Sequence, residues 1–304
     1  MVGHRGQARG CRPRDPEGRG SLRRRRVSLA DDQALGQAVE ALIRDVAASE
    51  IAPRFGTLAK GEISEKKPGD YVTVVDAAAE RRLTAGLLAL TPDVPVVGEE
   101  AVESDPGLLE LVRQPSASCW IVDPLDGTAN FASATPIYAV IVALMRNGRT
   151  EAGWIYDVPG DRMASAWRGR GVLRSGRAVP PDAARTGRRG YVGYKIKRTF
   201  DRHLVGEGSG DFGEVTTMGC AGVEYLDLLD GRADYCLYRI TKPWDHAAGA
   251  LMMEEVGGGA LAFDGGSYAP GQGREAGLLA SPQTRTLTEL HPHVSALARA
   301  LTSG

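Results

Sequence analysis

The chain has 304 residues, 42 % of them apolar and 25 % charged, and a formal net charge of −1. That composition excludes a chain disordered throughout, and no stretch approaches the roughly 18 uncharged apolar residues of a membrane-spanning helix. The charge is uneven: residues 1–26 hold nine Arg against Asp15 and Glu17, so the remainder is acidic, which argues against nucleic acid as the main partner. Four Cys (Cys11, Cys119, Cys220, Cys236) form no CxxC pair and no metal-ligand spacing, and read as reduced thiols of a cytoplasmic protein.

Residues 1–26 lack apolar periodicity and are expected to be a disordered Arg-rich extension, with the start of the folded protein near Val27. They contain no apolar core of a secretory signal. Leu35, Val39, Leu42, Ile43, Val46 and Ile51 recur at helical spacing and predict a helix over 31–55, with Asp31 or Asp32 as its N-cap. A loop through Lys66, Lys67, Pro68 and Gly69 follows. Residues 71–75 read as a strand, and Asp76 then caps a helix that runs to Leu90.

Strands are expected at 94–97, 119–122, 138–145, 152–156 and 162–167, with hairpin turns at Arg146-Asn147-Gly148 and Pro159-Gly160-Asp161. The polar stretch 174–189 marks a domain boundary, giving an α+β domain over 27–180 and an α/β domain over 181–304. In the second domain, strands are expected at 191–194, 214–217, 235–238, 260–263 and 277–280. Helices are expected at 221–229, 245–256 and 284–301.

Carboxylates gather where these elements end. Glu99 and Glu100 follow one strand, Asp123 and Asp126 follow another, and Asp76 and Asp245 stand at helix starts. Each alone has an ordinary reading: Asp126-Gly127 as a turn, the Glu pair as a solvated loop, Asp76 and Asp245 as helix caps. Together they would repel one another unless a cation sat between them, and a hard divalent ion such as Mg²⁺ takes oxygen ligands. Asp123 and Asp126, three apart across Pro124, can converge with the carbonyl of Leu125. Gly127 allows close backbone approach, the N–H groups of Gly127 and Thr128 can face an anion, and the Thr128 hydroxyl can hold a water. Those are the parts of a phosphate ester hydrolase.

The string Trp120-Ile121-Val122-Asp123-Pro124-Leu125-Asp126-Gly127-Thr128-Ala129-Asn130-Phe131 resembles the first signature of the inositol monophosphatase family. Trp244-Asp245-His246-Ala247-Ala248-Gly249-Ala250 with Glu255-Val256-Gly257-Gly258 resembles the second, and Gly98-Glu99-Glu100 and the segment from Asp70 to Asp76 match two further patches. The resemblance implies a five-layer αβαβα sandwich and a lithium-sensitive, Mg²⁺-dependent phosphatase with two to three ions per site, a small phosphorylated metabolite as partner, and a homodimer. It implies that Glu99, Asp123 and the Leu125 carbonyl bind one metal, that Asp123, Asp126 and Asp245 bind a second, and that Glu99 faces a third. Thr128 and Glu99 would position the attacking water, with Asp76 assisting Thr128 and Glu100 in a supporting role.

Substrate contacts are implied at Gly219, Cys220, Ala221, Tyr238 and Asp245, and for the phosphate at Asp126, Gly127 and Thr128. Two positions depart from the family pattern: Thr216 stands where Arg is often found, and Tyr238 stands where inositol-preferring members carry a Glu. A carboxylate accepts two hydroxyl hydrogen bonds and a phenol does not. Either Tyr238 is a half-buried strand residue or myo-inositol is not the preferred substrate. The charged segment 195–211, with Lys195, Lys197, Arg198 and Arg202, is a solvated face or a site for a second phosphate. The functions in view are therefore a phosphatase for inositol monophosphate or a related polyol or sugar phosphate; one for fructose 1,6-bisphosphate, histidinol phosphate or 3′-phosphoadenosine 5′-phosphate; and a non-catalytic binding member. Cys220 is expected to be a small buried apolar residue.

Overall fold

Along β4 (Cys119–Asp126), Trp120 and Val122 point to one side and Cys119 and Ile121 to the other, and all four are buried. A strand buried on both faces requires a helical layer on each. On the first face, Trp120, Val122, Val142 and Leu144 pack against α1 (Leu29–Val46) and α2 (Val74–Leu90) through Val39, Ile43, Leu83 and Leu87. On the second, Ile121, Ile141, Ala143 and Ile155 pack against α6 (Ala221–Leu229) and α7 (Pro243–Glu255) through Tyr225, Ala247, Ala248 and Leu251.

A computed structural model describes residues 1–3, 29–67, 70–180, 188–193, 196–197 and 212–302. Most of the Arg-rich extension with Cys11 and Val27, the Pro68-Gly69 pair, and Lys195, Arg198 and Arg202 of the charged segment lie outside the described residues.

The larger sheet has seven strands in the order β3-β4-β5-β6-β7-β8-β9, with only β3 (Val96–Gly98) and β4 parallel. β5 (Ala139–Arg146), β6 (Arg149–Asp157) and β7 (Arg162–Trp167) continue it by hairpins, and β8 (Val172–Arg174) and β9 (Arg177–Ala178) close it. The smaller sheet runs β11-β10-β12-β14-β13, built from β10 (Arg189–Val192), β11 (Glu214–Thr216), β12 (Tyr235–Tyr238), β13 (Gly259–Leu261) and β14 (Leu278–Ser281). Its outer face meets α8 (Thr284–Thr302), where Leu287, Leu290 and Val294 cover Leu237 and Leu279. The order α1/α2, sheet, α6/α7, sheet, α8 is a five-layer αβαβα sandwich. Among the described residues no helix is long and apolar enough to cross a membrane.

Several local expectations change. Asp31 and Asp32 lie inside the first turn of α1 and do not precede it. The Asp32 carboxylate instead pairs with Arg170 at 2.6 Å and Arg146 at 3.4 Å, tying α1 to the sheet. Lys66 and Lys67 belong to β1 (Ile63–Lys67), which pairs with β2 (Asp70–Thr73) to form a ribbon in place of the expected loop. The strand ends at Thr73 because Thr73 is the N-cap of α2: its Oγ1 accepts from the Val75 N–H at 3.2 Å, and Asp76 returns the bond to the Thr73 N–H at 2.8 Å. Asp76 is thus the third residue of a capping box and not the cap. Two short helices, α3 (Glu99–Ser104) and α4 (Leu109–Arg113), and strands β8 and β9 were too short to show a period in the sequence.

Candidate active site

β4 does not stop at Val122. Asp123 pairs with Ile141 and Asp126 with Ala139, so β4 carries one residue more than its partner between these points. Such a bulge re-aims side chains, and Pro124, which lacks an N–H, sits in it without costing a ladder bond. The Leu125 N–H donates to Asp123 Oδ1 at 3.0 Å, which fixes the loop against its own carboxylate. Gly127 then takes φ +89° and α5 (Thr128–Ala132) begins. A Cβ at Gly127 would lie 2.7 Å from the Ile137 carbonyl oxygen. Gly127→Ala is therefore expected to lower unfolding free energy in urea by about 1–3 kcal/mol, from left-handed backbone and overlap together.

The Thr128 hydroxyl is held from two sides, 3.0 Å from Asp76 Oδ1 and 2.9 Å from the Leu125 carbonyl. The other oxygen of Asp76 accepts from Thr73 N and Thr73 Oγ1, at 2.8 and 2.6 Å. The capping box of α2 thereby aims Asp76 at Thr128. Desolvation lifts the Asp76 carboxyl to about 6, against the hydrogen bonds from Thr73 that favour its charge.

Asp123 is 2 % exposed. Desolvation, then the charges of Glu99, Asp126 and Asp245, hold its carboxyl well above the usual range. Asp245, in the first turn of α7, is pushed up to about 8 by desolvation and by Glu99 and Asp126, with Lys242 opposing. Asp126 is pushed up to about 6 by desolvation; its Oδ2 accepts from the Gly222 N–H at 2.6 Å and the Cys220 thiol at 3.2 Å. Cys220 is thus buried as expected, but it acts as a donor to Asp126 as well as a filler. Asp245 does not precede its helix; Lys242 is the residue before α7.

Four charged residues organise the cluster: Lys66, which the sequence placed in a loop, and Lys242, Glu80 and Glu224, which it passed over. Lys242 Nζ pairs with Glu99 Oε1 at 2.8 Å, and Lys66 Nζ pairs with Glu100 Oε1 at 2.8 Å. Glu80, one turn along α2 from Asp76, accepts from the N–H groups of Glu100 and Ala101 at 2.8 and 2.9 Å and so caps α3. Glu224 on α6 is the fourth. It shares the otherwise apolar helix 221–229 with Asp227, and nothing in the sequence set it apart from that second carboxylate.

Glu224 bears on Tyr238. The Tyr238 hydroxyl donates to Glu224 Oε2, and Glu224 Oε1 accepts from the Met218 N–H at 3.0 Å. Desolvation lifts the Glu224 carboxyl to about 7. Asn130 Nδ2 reaches the carbonyls of Met218 and Ile137, at 2.9 and 3.0 Å, so α5 and α6 jointly fix the 218–220 segment. Tyr238 is therefore committed to a carboxylate one helix away. Tyr238→Phe leaves Glu224 buried with one donor fewer and is expected to cost about 1–3 kcal/mol in urea unfolding.

Among the described residues, no three acidic, His or Cys side chains already converge as a formed metal site. Lys242 pairs with Glu99, and the Gly222 N–H and the Cys220 thiol share one oxygen of Asp126. The donor set still fits a hard cation. It consists of carboxylates and one carbonyl, and burial first, then neighbouring negative charge, raises the carboxyls of Asp123, Asp126 and Asp245, a penalty that a divalent ion would relieve.

A mixed sheet whose strand ends and helix starts bring carboxylates together inside a five-layer sandwich defines the inositol monophosphatase class of protein. The family model described as "Inositol monophosphatase family" matches residues 31–299, and the chain belongs to that family. It is 30 % identical over 251 residues to an inositol-1-monophosphatase of Rhizobium meliloti (strain 1021), covering 78 % of this chain and 88 % of that one. It is 32 % identical over 222 residues to Nus factor SuhB of Escherichia coli (strain K12), covering 71 % and 80 %. The crystal structure of the extragenic suppressor protein suhB from Bartonella henselae superposes with a TM-score of 0.66 at 26 % identity, over 90 % of this chain and 99 % of that one.

Proposed function

We propose that the protein is a Mg²⁺-dependent hydrolase of phosphate monoesters, acting on inositol monophosphate or a related small polyol or sugar phosphate. The observation that carries this reading is the Thr128 hydroxyl, fixed between Asp76 and the Leu125 carbonyl beside mutually repelling carboxylates. Glu99, Asp123, the Leu125 carbonyl, Asp126 and Asp245 would hold two to three ions, with Asp123 shared between two of them. When bound, the ions supply Lewis-acid charge that lowers the pKa of a water and offsets charge on the leaving oxygen.

The chain's own groups do the rest. Thr128 has one hydrogen, which goes to Asp76 or Leu125, so its lone pairs face outward as acceptors for a water proton. Glu99 offers a second acceptor once Lys242 releases it. Together they aim the water at phosphorus, while the N–H groups of Gly127 and Thr128 hold the phosphate oxygens. Asp245 and Asp126 would hold an ion in place of the protons that their burial otherwise favours. Thr128→Ala is expected to lower kcat by about 10²-fold with KM little changed, because it removes water positioning and not substrate binding. Steady-state phosphate release on one ester measures both constants.

The reading is tested by phosphate release from inositol 1-phosphate, fructose 1,6-bisphosphate, histidinol phosphate, glycerol 2-phosphate and 3′-phosphoadenosine 5′-phosphate, in Mg²⁺ and in EDTA. Turnover in Mg²⁺ alone supports it, and the favoured ester names the substrate. The Tyr238–Glu224 bond supports an ester other than inositol phosphate as the favourite, since no free carboxylate stands at position 238. A second reading, a non-catalytic binding member, draws on the Nus factor name that several relatives carry. The joint presence of Glu99, Asp123, Asp126, Thr128 and Asp245 counts against it.

A further inference from the structure

Two buried carboxylates stand one turn apart on α2, Asp76 and Glu80, at 1 % and 7 % exposure. Residues four apart share a face of a helix, so both look toward the cluster from the same side. Asp76 bonds a side chain, the Thr128 hydroxyl. Glu80 is turned to the backbone instead. Its Oε2 accepts from the Glu100 N–H at 2.8 Å and its Oε1 from the Ala101 N–H at 2.9 Å. Glu80 therefore bears on the cluster through the first turn of α3.

Glu99 is the first residue of α3, and Gly98 before it is the last of β3. Gly98 pairs with Val122 on parallel β4, so the chain enters Glu99 alongside Asp123. The ladder holds the backbone just before Glu99, and Glu80 holds it at the two residues just after. Gly98 is shaped to this contact. Its φ of −95° is open to any residue, so its conformation does not call for glycine. A Cβ there would instead overlap the carboxyl group of Glu80.

We propose that Glu80 is a positioning residue: by holding the first turn of α3 it fixes where the Glu99 carboxylate stands beside Asp123, and so sets the affinity of the cluster for a divalent cation. This rests on the reading of Glu99 as a metal ligand. Charged hydrogen bonds to two successive N–H groups are the strong kind, and groups one step removed from a metal commonly tune its binding. α2 then serves as one frame for both groups assigned to the attacking water. Asp76 fixes Thr128 from it, and Glu80 fixes Glu99.

Calorimetric titration of Mg²⁺ into the full chain, without any ester, tests this in a double-mutant cycle. Glu80→Gln keeps one acceptor but turns an amide NH₂ toward the other N–H, and is expected to weaken Mg²⁺ binding by about tenfold. Glu99→Gln removes the ligand itself and is expected to weaken binding at least as much. Because Glu80 acts through Glu99, adding Glu80→Gln to Glu99→Gln should weaken binding further by about twofold at most, whereas a general loosening of the fold would multiply the two losses. Gly98→Ala keeps the charge of Glu80 and displaces it from α3, so it should reproduce the loss and serves if Glu80→Gln does not fold. Parental Mg²⁺ affinity in either Glu80→Gln or Gly98→Ala, or multiplied losses in the cycle, overturns the inference while Glu99 remains a ligand. Parental affinity in Glu99→Gln, where Glu80 is intact, removes Glu99 from the ligand set and the inference with it.

Discussion

Asp123→Asn is expected to lower phosphate release on the order of 10³-fold at saturating Mg²⁺, the loss typical of removing a central electrostatic group. Asp123 is the one carboxylate whose raised pKa reflects Glu99, Asp126 and Asp245 together, so it stands at the centre of the cluster. The Leu125 N–H that Asp123 accepts can still be met by the Asn oxygen, which leaves the β4 bulge in place. The same change should have the opposite sign on the metal-free fold. It removes a desolvated charge from among like charges, so the melting temperature in EDTA should rise, while the increment that Mg²⁺ adds should shrink. Melting curves and phosphate release on the same preparations check both. Near-parental turnover would exclude Asp123 as a shared ligand.

The second large effect is on the pH dependence of stability without metal. Asp245 is raised to about 8, and Asp126 and Asp76 to about 6, against ordinary values near 4 in the unfolded chain. A carboxyl with a raised folded pKa binds its proton more tightly in the fold, so its stabilising contribution is present at low pH and is lost as pH rises through the folded value. In EDTA the melting temperature should therefore fall between pH 6 and pH 8. With a kcal/mol worth about 2–4 °C in a chain of this size, and with Asp126 and Asp245 partly exposed, the drop should be on the order of 5 °C. Mg²⁺ at pH 8 should restore it and flatten the slope, because the ions replace the protons. A melting temperature that rises from pH 6 to pH 8 in EDTA would contradict the electrostatics of the cluster.

Much of the fold was legible because its elements are long and periodic. The α1 face of Val39, Ile43 and Val46 and the near-continuous buried runs of β5 to β7 are core-facing patterns, and the layers follow from which faces are apolar. Short elements were not legible: α3, α4, β8 and β9 have too few residues to show a period. The carboxylates were legible through their motifs, as was the hydroxyl of Thr128. Their partners were not. Lys242 and Glu99 are 143 positions apart and Lys66 and Glu100 are 34 apart, so each pair exists only through the sheet and the β1–β2 ribbon. Asp76 was misread as a cap because a residue three places into a helix and one just before it differ by a local register that composition does not reveal. Tyr238 was left between a half-buried strand residue and a missing carboxylate; it is a buried residue of β12, and Glu224 lies against it from α6, a juxtaposition set by how α6 packs over β12.

The measurement closest to the central claim is the Mg²⁺ dependence of phosphate release by the full chain, taken from EDTA to saturation on the ester it favours. The proposed chemistry predicts no release in EDTA, a saturable rise with Mg²⁺, and loss of that rise in Asp123→Asn. Mg²⁺ that stabilises the fold against heat while no ester on the panel releases phosphate would contradict it, and would leave a cation-binding protein of this family that does not hydrolyse them.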